Sequence, residues 1–259
     1  MVRKSSVSSW SVEAMRLPAF ALLASVVVGF GAEVKPFKWS GGLNVPDPTS
    51  VTFDESGNAY VASTTRRKAG DLDIREHRLW IPDDVGLTSP ADKLAFYQRE
   101  LAPGKLKAGR GSLKDHNKDG SVDWKDLTFH QERIYKLTDT DRDGVADKIT
   151  VFAEGFNSPV SGIAAGVLYF DGWVYVTAIP DVWRLKDTDG DGVADVKEII
   201  ATGFGGHIAY AGHDMHGLRL GPDGRIYWTV GDKGANVVSK EGRRFAYPHE
   251  GCVLRCEPD

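Results

Sequence analysis

The sequence predicts an all-β fold of the β-propeller class, from two repeated hairpin patterns and the period at which they recur. Three segments, which begin at Pro48, Pro159 and Met215, each contain a short apolar strand, a turn with glycine and an alternating second strand. An Asp-Gly turn between alternating apolar runs is a strong hairpin signal. The turn glycines Gly172 and Gly224 are separated by roughly 50 residues, which is close to the length of one propeller blade.

A second hairpin pattern lies between these segments. "RIYKLTDTDRDGVADKITVF" from Arg133 and "VWRLKDTDGDGVADVKEII" from Val182 each read as a strand, an acidic loop and a strand. Two hairpins per period give four antiparallel strands, as in a propeller blade. The last residues, "CVLRCEPD", match the start of the acidic hairpin. We therefore expect about three blades, forming the N-terminal part of a longer protein, because known rings need at least about four.

A region from about 66 to 130 interrupts the repeat and is expected to be an insertion on the propeller rim. "SPADKLAFYQREL" from Ser89 has apolar residues at helical spacing and a serine in the capping position. This pattern predicts one helix within the insertion. The partial propeller would thus occupy residues 36–259, and the insertion would serve as a lid or as a packing element.

Residues 1–32 have the layout of a secretory signal peptide. Arg16 precedes an apolar run from Leu17 to Val28, and small residues follow from Gly29 to Ala32. We therefore expect an exported protein, either periplasmic or extracellular. An uncleaved membrane anchor is the alternative, although the apolar run is shorter than the roughly 20 residues that a membrane span needs.

The composition is that of a soluble globular protein, with 41% hydrophobic and 26% charged residues. The formal net charge of −4 argues against nucleic acid as a partner, because phosphate binding needs a basic face. Cys252 and Cys256 are predicted to lie on one strand, with Cα atoms roughly 13 Å apart. That separation is too large for a disulfide, so both are interpreted as packing residues or as partners of a group beyond the chain end.

Three acidic loops have the ligand spacing of EF-hand calcium loops. Ca²⁺ takes about six to eight oxygen ligands, and alternate residues of a tight loop point inward to supply them. The first loop, "DHNKDGSVDWKD", runs from Asp115 to Asp126 and has Gly120 at its sixth position. Asp126 stands where such loops usually have glutamate.

The other two loops belong to the repeated acidic hairpins. "DTDGDGVADVKE" matches the complete pattern, whereas "DTDRDGVADKIT" has an acid at the ninth position and none at the twelfth. Because strands flank both loops, we expect structural calcium rather than a sensor; Mg²⁺ is less favoured since it tolerates flexible cages poorly. A solvated acidic turn is the alternative. The candidate ligands in the three loops are Asp115, Asn117, Asp119, Ser121, Asp126, Asp139, Asp141, Asp143, Val145, Asp147, Asp187, Asp189, Asp191, Val193, Asp195 and Glu198.

Two histidines precede the hairpin in "GHDMHGLRLGPDGRIYWTVGDKG", which begins at Gly212. Hairpin geometry needs the Gly-Pro-Asp-Gly turn but neither His213 nor His216. We expect this to be the inner hairpin of a blade, so that the residues ahead of it line the mouth of the central channel, where propeller ligands bind. Both histidines are therefore candidate catalytic residues, and a polar channel rim without chemistry is the alternative.

This stretch resembles the signature of the soluble quinoprotein glucose/sorbosone dehydrogenases. In that family a histidine stands at a fixed distance before a Gly-Pro-Asp-Gly turn; His213 matches that position, and His216 has no counterpart. The resemblance implies a six-bladed propeller that binds pyrroloquinoline quinone (PQQ). It also implies that the histidine takes a proton from a sugar hydroxyl while hydride moves to the quinone, a role that suits a side chain with a pKa near neutrality.

The insertion and the acidic loops look more like the large exported dehydrogenase-like proteins of planctomycete-type bacteria, which often add a cytochrome c domain downstream. The basic contacts that the family makes to PQQ come from later blades and would follow Asp259. The leading expectation is an exported PQQ-dependent dehydrogenase acting on a sugar, an aldose or another small molecule. The alternatives are a non-catalytic propeller that binds a carbohydrate or a protein, and a propeller that docks a downstream cytochrome c domain.

Overall fold

The structure is a computed structural model in which residues 35–67, 69–106 and 113–258 are described. The chain divides into two units, Met1–Phe37 and Lys38–Asp259. Of the first unit only residues 35–37 are described, and they form neither helix nor strand. The expected signal peptide over residues 1–32 lies outside the described residues. The second unit contains every helix and strand of the described chain.

The second unit is built from antiparallel sheets. The first sheet consists of β1 (Pro48–Phe53), β2 (Ala59–Ser63), β3 (Glu132–Thr138) and β4 (Lys148–Phe156), in that order. The second consists of β5 (Ala164–Phe170), β6 (Trp173–Ala178), β7 (Asp181–Lys186) and β8 (Val196–Thr202), also in order. Each sheet is therefore a four-stranded meander of the kind that forms a propeller blade.

The third sheet follows the predicted four-stranded pattern for three strands and adds one element to it. It contains β9 (Met215–Leu220) and β10 (Ile226–Val230), and the later strand β13 (Cys252–Cys256) pairs with β10. Between them an extra hairpin, β11 (Ala235–Val238) with β12 (Arg244–Tyr247), interrupts the repeat. Both cysteines lie on β13, and neither forms a disulfide. The all-β, propeller-like class is confirmed, although the described sheets form no closed ring.

The insertion joins β2 to β3 over residues 64–131, close to the expected range, and its described part carries two α-helices and three short 3-10 helices, Ile74–Glu76, Arg78–Trp80 and Trp124–Thr128. The α-helices are α1 (Ile81–Gly86), which the sequence pattern did not predict, and α2 (Pro90–Glu100), which it did. Ser89 caps α2, since its hydroxyl accepts a hydrogen bond from the Asp92 backbone N–H at 3.2 Å. No helix in the described ranges is long and apolar enough to cross a membrane.

Apolar layers between the sheets hold the second unit together. Phe152 and Val176 are buried between the first and second sheets, and Tyr175 and Trp228 between the second and third. A separate apolar cluster belongs to the insertion, where Phe96 of α2 is 1% exposed. Removing this apolar surface from water is the main stabilising contribution to such a fold.

The antiparallel order gives the sheets two different ends. The turn end consists of the connections within hairpins, at residues 54–58, 139–147, 171–172, 187–195 and 221–225. The loop end consists of the other connections, chiefly residues 64–131, 157–163, 203–214 and 231–251. His213 therefore belongs to the loop end, whereas the Asp139 and Asp187 loops belong to the turn end.

A buried carboxylate fastens the insertion to the first two sheets. Glu132 Oε1 accepts hydrogen bonds from Thr64 Oγ1 (2.9 Å) and the Arg66 backbone N–H (3.2 Å), both in the insertion. Its Oε2 accepts from the Ala164 backbone N–H (2.7 Å) at the start of β5. The buried Arg66 guanidinium donates in turn to the Leu127 carbonyl near the far end of the insertion. The two charged side chains thus tie both ends of the insertion to the sheets.

We expect Glu132→Gln to lower the free energy of unfolding by about 3–5 kcal/mol, because it disturbs a buried acceptor of several hydrogen bonds and removes the negative charge that attracts the buried Arg66 guanidinium. Urea unfolding of the full chain measures this loss. The matched control is Glu154→Gln, which removes an exposed carboxylate paired with Arg133 at 2.9 Å and should cost less than about 1 kcal/mol. Equal losses in the two variants would contradict the role given to Glu132.

A buried amine lies beneath the loop end on α2. Lys93 is 4% exposed, and no hydrogen bond or ion pair joins its ammonium group to another described residue. Burial lowers the pKa of Lys93 to about 7, and the positive charge of Lys233 acts in the same direction. The charge of this side chain therefore changes near neutral pH inside the packed part of the molecule.

The lowered pKa of Lys93 makes stability depend on pH in one direction. From about pH 7 to the ordinary lysine pKa of 10.5, the unfolded chain binds a proton at this site that the folded chain lacks, so stability rises with pH. Lys93→Met should remove this rise and stabilise the protein at pH 7 by about 1–4 kcal/mol, since an apolar side chain replaces a buried amine.

Thermal unfolding of wild type and Lys93→Met across this pH range measures the difference. Lys240→Met, which changes an exposed lysine, is the control and should follow wild type. The prediction is wrong if Lys93→Met is no more stable than wild type at pH 7.

Candidate functional site

Two dipeptides from different connections dock against each other at the loop end. His213-Asp214 ends the connection from β8 to β9, and Asp232-Lys233 follows β10. His213 pairs with Asp232, and Asp214 pairs with Lys233. The first pair is exposed and the second is buried. An exposed histidine–aspartate pair therefore stands on a buried lysine–aspartate pair.

The exposed pair has the geometry of an oriented imidazole. Nδ1 of His213 lies 2.9 Å from Oδ1 of Asp232, and the two side chains are 52% and 43% exposed. A carboxylate acceptor favours the tautomer with the proton on Nδ1. The lone pair is then on Nε2, which makes no hydrogen bond to another described residue. This ring nitrogen is available to accept a proton from a bound molecule.

The second predicted histidine has a different partner. His216 lies on β9 and is exposed, and its Nε2 is 3.0 Å from the Gly212 carbonyl oxygen. A carbonyl oxygen only accepts, so Nε2 of His216 carries the proton in this contact. The structure therefore brings a carboxylate to His213 and a backbone carbonyl to His216.

Lys233 holds the site together from below. Its ammonium group, on a side chain 4% exposed, donates to Asp71 Oδ1 at 3.1 Å and to Asp214 Oδ2 at 3.0 Å. Burial lowers the pKa of Lys233, but the two carboxylates outweigh that effect and raise the pKa above its ordinary value. The lysine remains a cation and joins the insertion, the β8–β9 connection and the β10–β11 connection.

The buried Asp214 carboxylate explains a nearby glycine. Its Oδ1 accepts a hydrogen bond from the Ile163 backbone N–H at 3.2 Å. A Cβ atom on Gly162 would lie 1.7 Å from that oxygen, so no side chain fits at this position.

An aromatic ring and a neutralised cation border the exposed pair. The Tyr210 ring centroid is 5.1 Å from that of His213. The Arg75 guanidinium lies over the Tyr210 ring, 4.9 Å from its centroid. Arg75 is bound to Asp73 through two hydrogen bonds of 2.8 and 2.6 Å. A molecule at His213 would meet the Tyr210 ring, beside which Arg75 is already paired with Asp73, and the exposed Arg67 lies close to the neighbouring Gly212.

The sequence points to His213 but not to its partners. Asp232 and Lys233 lie in the Gly-Asp-Lys-Gly segment that closes the repeated hairpin, and Asp214 directly follows His213. The sequence signal that could have indicated Asp214, Asp232 and Lys233 is that charged residues flank the strands of a repeated hairpin. Asp71 lies in the insertion, and no local pattern relates it to the others.

The three acidic loops share one hydrogen-bond pattern. The position-1 carboxylate accepts from the N–H of the position-6 glycine, at 3.1 Å in the Asp115 loop and 2.9 Å in the Asp139 and Asp187 loops. Position 3 accepts from position 5, and position 5 from position 7. The three position-6 glycines have φ between 89° and 93°, which favours residues without a Cβ. The position-7 residues are Ser121, Val145 and Val193.

In the Asp139 loop the structure gathers three of the predicted ligands. Carboxylate oxygens of Asp139, Asp141 and Asp143 lie within 4.8 Å of one another. Asp147 instead accepts hydrogen bonds from the hydroxyl (2.6 Å) and the N–H (3.0 Å) of Thr140. Those hydrogen bonds lower the pKa of Asp147.

In the Asp187 loop the gathered set differs. Oxygens of Asp187, Asp189 and Asp195 lie within 4.8 Å of one another. Glu198, the predicted position-12 ligand, lies on β8 and accepts a hydrogen bond from Arg184 Nε at 2.7 Å. Asp195 at position 9 thus joins positions 1 and 3 in this loop, whereas Asp191 at position 5 and Glu198 at position 12 are not part of the gathered set.

The Asp115 loop contains an unpaired oxygen. Asp115 Oδ1 is buried and has no hydrogen-bond partner among the described residues. The fully buried Asp126 carboxylate already accepts hydrogen bonds from the backbone N–H groups of His116 (2.8 Å), Asn117 (3.1 Å) and Asp123 (2.9 Å). Buried polar atoms nearly always have a partner, so this carboxylate oxygen fits a cation ligand. All three loops offer the hard oxygen donors that Ca²⁺ prefers.

No curated protein and no solved structure matches the chain. Residues 41–259, which include the sheets, the insertion and the three acidic loops, match one family model, described as a domain of unknown function (DUF7133). The chain therefore belongs to the DUF7133 family.

Proposed function

We propose that this chain is the propeller of an exported sugar or aldose dehydrogenase in which His213 takes the proton from a substrate hydroxyl. The observation that carries the proposal is the 2.9 Å contact between His213 Nδ1 and Asp232. Histidine bases commonly act through one ring nitrogen while a carboxylate orients the other. The resemblance of the stretch from Gly212 to the quinoprotein glucose/sorbosone dehydrogenases supports the same residue.

Each group at the loop end has a role in this proposal. Asp232 holds the imidazole in one orientation and stabilises the imidazolium that forms when His213 accepts the proton. Lys233 and Asp214 lie next to that pair in sequence and fix the backbone on both sides of it. The substrate hydroxyl must approach Nε2 to about 2.6–3.2 Å, and the exposure of His213 leaves room for that approach.

PQQ is the hydride acceptor that the resemblance implies, and when bound it would supply the two-electron oxidation. The described residues around His213 do not fit it by themselves. A quinone bearing several carboxylates needs several cations, but Lys233 is buried between two aspartates and Arg75 is bound to Asp73, so the exposed Arg67 beside Gly212 would have to serve without them. The proposal for this chain is therefore limited to proton abstraction and substrate contact.

We also propose that the three acidic loops bind Ca²⁺ and brace the sheets. The shared hydrogen-bond pattern and the buried Asp115 oxygen support the metal. The brace follows from contacts beyond the loops: the Ala194 N–H donates to the Phe152 carbonyl at 2.8 Å, and the Ala146 N–H to the Trp39 carbonyl at 2.9 Å. The Asp187 and Asp139 loops are thus each hydrogen-bonded to a neighbouring segment. An ion that makes the loop more rigid also stabilises its contact with that segment.

In the full-length protein supplied with PQQ and calcium, His213→Ala should lower kcat/KM for an aldose by about 10²–10⁴-fold, because the base is removed. Asp232→Asn should also lower kcat/KM, since asparagine cannot stabilise the imidazolium. His216→Ala should lose less than His213→Ala, because the His216 imidazole is hydrogen-bonded to the Gly212 carbonyl and to no carboxylate among the described residues. Dye reduction with a panel of aldoses measures activity, and melting curves check that the variants fold.

Two outcomes would change the interpretation. Equal, modest losses for His213→Ala and His216→Ala would indicate a polar rim without a dedicated base. Absence of PQQ-dependent activity in wild type would favour a non-catalytic propeller that binds a carbohydrate or a protein, or one that docks a downstream cytochrome c domain.

Calcium at about 100 times its Kd should stabilise the wild-type protein by about 2.7 kcal/mol for each independent site. Asp189→Ala should remove the calcium-dependent stabilisation that comes from the Asp187 loop, because the Asp189 carboxylate is one of the three gathered there. Glu198→Gln is the matched control and should keep that stabilisation, since Glu198 is paired with Arg184. Melting temperatures with calcium and with chelator measure both, and a wild-type melting curve that chelator leaves unchanged would refute calcium binding.

A further inference from the structure

A groove at the turn end has a lining that neither proposal uses. It lies between the β1–β2 turn and the β5–β6 turn and has a volume of about 470 Å³. A cavity of this size suits a small molecule or a single side chain. Its lining residues are Phe53, Asp54, Glu55, Tyr169, Phe170 and Asp171.

The two strands that lead into the groove are fixed side by side. The Tyr169 backbone N–H donates to Thr52 Oγ1 at 3.1 Å, which joins the end of β5 to the end of β1. The Tyr169 hydroxyl is hydrogen-bonded to Glu55, which raises the pKa of Tyr169 to about 12. The phenol therefore stays protonated and donates to the Glu55 carboxylate. Phe53 leaves 53% of its surface exposed at the same place.

The groove carries negative charge that the protein does not neutralise. Among the described residues, no lysine or arginine forms an ion pair with Asp54, Glu55 or Asp171. Asp54 is engaged by its own turn, where it accepts the backbone N–H groups of Ser56 and Asn58. Glu55 and Asp171 are exposed and are left to interact with a molecule in the groove.

The third sheet shows how the chain itself matches a turn carboxylate and a tyrosine with a cation. Its counterpart within the first sheet is Asp54 with Tyr60, where Lys136 lies 5.6 Å from the ring centroid, whereas no described lysine or arginine forms an ion pair with Glu55, the partner of Tyr169 between the sheets. At the turn of the third sheet, Asp223 Oδ2 accepts from the Tyr227 hydroxyl (2.8 Å) and from the guanidinium groups of Arg225 (3.1 Å) and Arg255 (3.3 Å). The Arg255 guanidinium also lies over the Tyr227 ring, 6.0 Å from its centroid. A turn carboxylate beside a tyrosine is thus matched there by a guanidinium on an aromatic face.

We propose that the groove between the first two sheets binds an organic cation, with a guanidinium group as the best fit, placed against its aromatic rings and hydrogen-bonded to Glu55 and Asp171. A planar guanidinium stacks on aromatic faces and donates in a fork to carboxylates, which are the two features of this lining. The groove lies at the end opposite His213, so this inference does not depend on the dehydrogenase proposal.

The test titrates the full chain with methylguanidinium and follows aromatic ring protons by NMR, with calcium in excess so that the acidic loops are filled. Methylurea, a neutral molecule of the same shape, is the matched probe. We expect saturable binding of methylguanidinium that weakens with salt and much weaker binding of methylurea. Glu55→Gln should weaken binding by about tenfold, whereas Glu76→Gln, an exposed glutamate of the insertion, should not change it.

Asp171→Asn provides a second variant that preserves the fold, because asparagine tolerates the positive φ of 49° at this position. An arginine residue within an otherwise neutral peptide tests the source of the cation. Binding as tight as that of methylguanidinium assigns the groove to a side chain of a protein partner, and weaker binding assigns it to a free small molecule. No saturable binding, equal binding of methylurea or glucose, or unchanged affinity in both carboxylate variants would overturn the proposal.

Discussion

The loop end depends on the buried contact between Lys233 and two aspartates. Asp71 uses one carboxylate oxygen for Lys233 and the other for the Gly212 backbone N–H at 2.9 Å, while Asp214 binds Lys233 directly. Both chain neighbours of His213 are therefore held by one ammonium group. Asp232, the partner of His213, is itself the chain neighbour of Lys233. The distance within the exposed pair is thus set by a buried ion cluster that cannot shift without leaving a charge unpaired, which is costly away from water.

The two buried lysines show how the same side chain can have opposite effects. Lys233 has two carboxylates within hydrogen-bond distance, so its desolvation is offset and it stays charged. Lys93 is equally buried, but no described residue accepts a hydrogen bond from its ammonium group, and its pKa falls to about 7. Geometry, rather than burial, decides which lysine stabilises the fold and which one makes its stability depend on pH. The insertion carries the second lysine and one aspartate of the first cluster, so its docking is subject to both effects.

The elements that the sequence predicted are those fixed by local chemistry. The paired hairpins follow from turn glycines and alternating strands, α2 from the Ser89 cap, and the acidic loops from oxygen ligands within a dozen residues. The elements it missed depend on contacts distant in the chain. Asp71 and Lys233 are 162 residues apart, and nothing near either one indicates the other. The β11–β12 hairpin interrupts a blade where the repeat predicts a plain turn. His213 was found through resemblance to a family, whereas its partner Asp232 required the folded arrangement.

Carboxylates at the two ends of the sheets have different environments, and this difference separates the proposed activities. At the loop end, Glu132, Asp71 and Asp214 are buried and accept hydrogen bonds from Lys233, the Thr64 hydroxyl and backbone N–H groups. At the turn end of the first two sheets, most carboxylates in the hairpin loops and in the groove are exposed and without cationic partners; Asp187, paired with Lys136 at 3.8 Å, is the exception among the described residues. Carboxylates that the protein leaves unneutralised attract cations from solution, so calcium and organic cations are expected at the turn end, and calcium also at the Asp115 loop of the insertion. A general base must release its proton in each cycle; Asp232 already stabilises the protonated His213, and further uncompensated negative charge nearby would retain the proton. The neutralised Asp71 and Asp214 near His213 therefore suit proton transfer, and the length of the sheets separates His213 from the groove and from the Asp139 and Asp187 loops.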